Sequence, residues 1–92
     1  MSQVVETEVV IQNRLGLHAR PAAAFVKITN RYDSEITVSK NGFEVNGKSI
    51  MGVMMLGASQ GSQLRLRAEG EDAEALIQEI VDLVNSKFNE ME

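Results

Sequence analysis

No cysteine occurs in the 92 residues, so disulfides and thiolate-held metals are excluded. Histidine occurs once, and with no cysteine to join it a metal site would have a poor ligand set. Imidazole chemistry therefore has a single address, His18. Tryptophan is absent, and three phenylalanines and one tyrosine are too few for a base-stacking platform. Thirteen acidic residues outnumber nine basic ones, giving a formal charge of -4. Phosphate backbones select for basic surfaces, so no nucleic acid partner is expected. No apolar run approaches the roughly 18 residues of a membrane span. The start, Met1-Ser2-Gln3-Val4-Val5-Glu6, lacks the basic and apolar character of a signal peptide. The expectation is a cytoplasmic protein with no membrane partner.

What is present is one domain's worth of chain, residues 1–92. Apolar residues make up 43% of it, enough for one compact core. A domain this small has little room for a deep cleft as well. A group that it handles belongs on its surface, where a partner comes to meet it.

Val5, Thr7, Val9 and Ile11 alternate with Glu6 and Glu8, which predicts a half-buried strand. A helix follows from about Ala19 to Asn30, with Ala22, Ala23, Val26 and Thr29 at helical spacing. Pro21 fits only in its first turn, which puts His18 at the helix entrance. Ile36–Ser39 and Phe43–Val45 flank Asn41-Gly42, the strongest short-range hairpin signal. Ile36, Val38, Phe43 and Val45 are expected to face inward. Ser49 reads as the N-cap of a short helix from Ile50 to about Leu56, with Gly57 as its stop. Leu64–Ala68 alternate as a fourth strand. A last helix carries Leu76, Ile77, Ile80, Leu83, Val84 and Phe88 on one face. The order βαββαβα predicts an α+β fold of four mostly antiparallel strands, with helices covering one face.

A lone histidine is ordinarily a surface or capping residue without chemistry; the surroundings of His18 set it apart. The first amides of a helix lack internal partners and carry about half a positive charge between them. Pro21 removes one donor, and the N–H groups of Ala19 and Arg20 remain. An anion on the imidazole would lie against those donors. Arg20 adds a guanidinium suited to phosphate oxygens. Gly16 permits the sharp turn into the helix. A neutral imidazole nitrogen can attack phosphorus, and the phosphoramidate can be passed on. The helix end and Arg20 both disfavour imidazolium, so a His18 pKa below about 6.5 is expected.

Gly16-Leu17-His18-Ala19-Arg20-Pro21-Ala22 closely resembles the active-site signature of HPr, the histidine-containing phosphocarrier of the bacterial sugar phosphotransferase system. The block Asn46–Gly57 is similar to that family's regulatory-site region. Gly47 and Met54-Met55-Leu56 resemble the nitrogen-related branch, NPr, whereas Ile50–Met54 resembles HPr proteins that are kinase targets. The resemblance implies an open-faced sandwich of four antiparallel strands and three helices. It implies phosphorylation of His18 on Nδ1 by enzyme I, drawing on phosphoenolpyruvate, with Arg20 as the active-site arginine and IIA proteins as acceptors. No cofactor is implied, and a monomer is expected. Ser49 matches the regulatory serine, which HPr kinase/phosphorylase modifies in some bacteria.

The short second helix has more apolar residues than one buried face can use. Val53 and Leu56 are expected in the core, while Ile50, Met51 and Met54, with Leu17 near His18, are candidates for partner docking. Phosphate on Ser49 would place about two negative charges at a helix N-terminus, beside that patch. Two other classes compete. One is an enzyme with Ser49 as nucleophile and His18 as base, but no nucleophile-elbow motif is present. The other is a binding module that regulates by docking alone, which would be expected to lack the histidine.

Overall fold

A computed structural model describes residues 3–90. Strand β1 (Gln3–Val10) leads through a loop to helix α1 (Ala19–Thr29). The hairpin of β2 (Glu35–Lys40) and β3 (Phe43–Asn46) follows, then the short helix α2 (Ile50–Met55). Strand β4 (Gln63–Gly70) and helix α3 (Ala73–Asn85) complete the order, and a single turn spans Lys87–Asn89. The strands form one sheet in the order β1-β4-β2-β3, and every pairing is antiparallel. This is the four-strand, three-helix, open-faced α+β arrangement expected from the sequence.

Period-two patterning gives the sheet its two faces. On β4, Leu64, Leu66 and Ala68 are fully buried, while Arg65, Arg67 and Glu69 face solvent. The solvent face carries ion pairs: Arg67 Nε lies 3.3 Å from Glu6 Oε2, and Arg65 lies 3.7 Å from both Glu6 and Glu8. On the other face the helices cover a core that includes Phe25 of α1, Val53 of α2 and Leu76, Ile80 and Val84 of α3.

Asn41 (φ 52°) and Gly42 (φ 86°) both take the left-handed conformation that a tight hairpin needs. Ile36 and Val38 are buried as expected, and Val45 is half-buried. Phe43 differs: it is 49% exposed. It pairs with Lys40 at the turn end of an edge strand, where a neighbouring strand lies on one side only. The buried stripe of α1 is Pro21, Ala22, Phe25 and Thr29, and Ala23 is exposed, so the inward face is rotated from the expected one. Helix α3 ends at Asn85, before Phe88. Phe88 is still buried, but a turn of left-handed residues carries it inward, not a continuation of the helix.

The layout of α1 and α2 decides what surrounds His18. Thr29 Oγ1 donates to Gly47 O at 2.8 Å, and Asn30 Nδ2 donates to Lys48 O at 3.1 Å. The start of α2 therefore sits by the end of α1. At the opposite end, Leu17 N donates to Ala58 O at 2.8 Å, so the segment after α2 meets the start of α1. The two helices run antiparallel.

Candidate functional site

The bend into α1 is built by Gly16. Its φ of +73° is open to glycine at little cost, and a Cβ there would lie 2.4 Å from Ala58 O. Both conditions demand glycine. The chain is pinned on either side, since Gly16 N donates to Asn13 O and His18 N donates to Gly16 O. His18 is the N-cap of α1, with extended backbone angles (φ -79°, ψ -169°). Its carbonyl accepts from Ala22 N at 3.0 Å, the first bond of the helix. The amides of Ala19 and Arg20 precede that bond and have no carbonyl within the helix to receive them.

The imidazole makes no capping bond and is 34% exposed. It opens on a surface concavity of about 750 Å³ lined by Arg14, Arg20, Pro21 and Glu90 among others. Arg14 and Arg20 thus line the same concavity as the imidazole at a helix N-terminus, a suitable environment for a phosphoryl group. Arg20 is exposed and forms no ion pair among the described residues.

Among the described residues that line the concavity, Glu90 is the acidic one. Glu90 Oε2 lies 2.9 Å from His18 Nε2, and Glu90 Oε1 accepts from Asn13 Nδ2 at 3.0 Å. Asn13 is fully buried, and its Nδ2 also donates to Gly16 O at 2.8 Å. Asn13 therefore ties the glycine bend to the carboxylate that meets the ring.

A family model described as the PTS HPr component phosphorylation site matches residues 5–86. The chain belongs to the HPr family. It is 46% identical over 87 residues to the phosphocarrier protein HPr of Xylella fastidiosa, covering 95% of this chain and 98% of that protein. HPr of Pseudomonas aeruginosa is also 46% identical, over 92% of this chain and 96% of its own length. Among solved structures, HPr-C-His from Thermoanaerobacter tengcongensis superposes with a TM-score of 0.92 at 50% identity. That match covers 96% of this chain and 99% of the other. The chain is thus of the phosphocarrier family of the phosphotransferase system, and the HPr-like fold is that of its solved relatives.

The remaining candidates divide. Met51 is 68% exposed, Met54 40% and Ile50 39%, whereas Val53 and Leu56 are buried, as the sequence indicated. Leu17 is a correction, because it is a core residue only 5% exposed. The left-handed bend at Gly16 turns Leu17 inward and leaves Leu15, 67% exposed, on the surface. Met55, at 66%, is a second exposed apolar residue outside the expected set. Ser49 caps α2 by accepting from Gly52 N at 3.0 Å. It stands by the far end of α1 from His18, roughly 16 Å away at 1.5 Å per residue over eleven residues, so the two cannot act as nucleophile and base.

Arg14, Leu15, Asn13 and Glu90 were not singled out from the sequence. Arg14 carries the one available signal, a second cation four residues before His18. Glu90 carries none, because 72 residues separate it from the ring it meets.

Proposed function

We propose that this chain accepts a phosphoryl group from enzyme I on Nδ1 of His18 and passes it to IIA proteins. The observation that carries the reading is the half-exposed imidazole at the N-cap of α1, beside bare amides and Arg20. The Nδ1 lone pair attacks phosphorus, the bond from phosphorus to the donor breaks, and its electron pair leaves with the donor. The amides of Ala19 and Arg20 and the Arg20 guanidinium then hold the phosphate oxygens. Water is not excluded from so open a site, which suits relay to a second protein better than turnover of a small substrate.

Docking is assigned to the exposed Leu15, Ile50, Met51, Met54 and Met55. These flexible apolar side chains can fit several partners. Ser49 is assigned a regulatory role. Phosphate there keeps a negative charge at the N-terminus of α2, which the helix tolerates, and opposes docking across the methionines. No contact with His18 is needed. A dedicated kinase of the HPr kinase/phosphorylase type would supply that group. The working form is read as a cytoplasmic monomer.

Incubation with phosphoenolpyruvate and enzyme I, followed by mass measurement, tests the carrier role. Wild type should gain one acid-labile phosphoryl group and His18→Ala none. Label on the His18→Ala variant, or on neither protein, would overturn it.

A further inference from the structure

We infer that Glu90 is a positioning residue for phosphoryl transfer, an inference that rests on the carrier reading above. An ionised carboxylate only accepts hydrogen bonds. The 2.9 Å contact with Oε2 therefore requires Nε2 of His18 to carry the ring hydrogen. In the neutral ring that tautomer leaves the lone pair on Nδ1, the atom that must attack phosphorus. No hydrogen bond to Nδ1 occurs among the described residues.

The contact is constructed by the fold. Lys87, Phe88 and Asn89 take φ values of 57°, 56° and 58°, three consecutive non-glycine residues in the left-handed region. Such backbone persists only where the surroundings enforce it. Phe88, 7% exposed, anchors the turn in the core, and Glu90 N closes it by donating to Lys87 O at 3.0 Å. Asn13 fixes the second carboxylate oxygen. The Glu90 side chain is itself only 18% exposed, so its charge meets the ring with limited screening.

The charge has a task in the reaction. As the Nδ1–P bond forms, the ring becomes positive, and the Nε2 hydrogen stays in place. No proton need leave the ring. A carboxylate already on Nε2 stabilises that positive charge more in the transition state than in the resting ring, which lowers the barrier without changing docking.

The test uses Glu90→Ala and Glu90→Gln in the full chain, with phosphorylated enzyme I as donor and ring-¹⁵N NMR of His18 alongside. In wild type the two ring nitrogens should be well separated, Nε2 protonated and Nδ1 bare. In both variants kcat for phosphorylation should fall about tenfold with KM unchanged, since both remove the charge. In Glu90→Ala the two ring signals should also move toward each other. Wild-type kcat in both variants would overturn the inference. So would a slower Glu90→Ala with unmoved ring signals, which would mark a merely structural role. Failure of wild type to accept any label would overturn the carrier reading instead, and the ring signals would still report on the Glu90 contact.

Discussion

Two leucines on either side of one glycine have opposite fates. Leu15 is 67% exposed and Leu17 is 5% exposed, because Gly16 reverses the chain between them with a φ of +73°. Their truncations should separate stability from function. Leu17→Ala removes core volume and should cost about 2–5 kcal/mol, read as a lower urea midpoint at unchanged slope. Leu15→Ala should leave stability within about 0.5 kcal/mol and raise KM for the phosphoryl donor, since only an intermolecular contact is lost. Equal stability losses would mean that the bend does not orient the two side chains as described. The sequence showed that a glycine stands here but not which leucine it turns inward. Orientation after a left-handed residue does not follow either the strand or the helix period.

At the scale of elements, several boundaries were legible because single residues enforce them. Pro21 can occupy only a first helical turn, which placed His18 at the cap, and Asn41-Gly42 could only be a tight turn. What stayed hidden is made by contacts distant in sequence. Phe88 continues the period of α3, yet it lies in a left-handed turn whose lysine and phenylalanine no propensity favours there. Glu90 reaches His18 only through that turn. Asp72 is a similar case. It precedes α3 as an N-cap but spends its carboxylate on the loop before β2, accepting from the backbone N–H of Asp33 and Ser34 at 2.9 Å each and from the Ser34 hydroxyl. The Ser34 hydroxyl bond, followed by the backbone donors, holds the Asp72 carboxyl below its ordinary value of 3.8. The unfolded chain therefore takes up this proton at a higher pH than the folded one. The stability it gives is fully present above the unfolded value and is lost as pH falls through the folded value. Urea midpoints followed downward from pH 5 should show wild type losing its advantage over Asp72→Asn. An advantage constant across that range would count against the clamp.

Across the whole molecule, the antiparallel α1 and α2 set His18 and Ser49 about 16 Å apart along α1, with Met51, Met54 and Met55 exposed on the second helix. A partner burying the usual ~800 Å² on this side would span both positions. Modification at Ser49 then acts on docking, while Glu90 acts on the ring, and the two effects should appear in different constants. Ser49→Asp, which retains a capping oxygen for α2, should raise KM for phosphorylated enzyme I and leave kcat near wild type. Glu90→Ala should lower kcat and leave KM near wild type. Sites this far apart that touch no common residue of the chain combine additively, so the double variant should show the product of the two single effects in kcat/KM, within about twofold. A double variant no worse than either single one would mean that charge at Ser49 reaches His18 through the fold. The regulatory signal would then travel inside the protein and not across its docking surface.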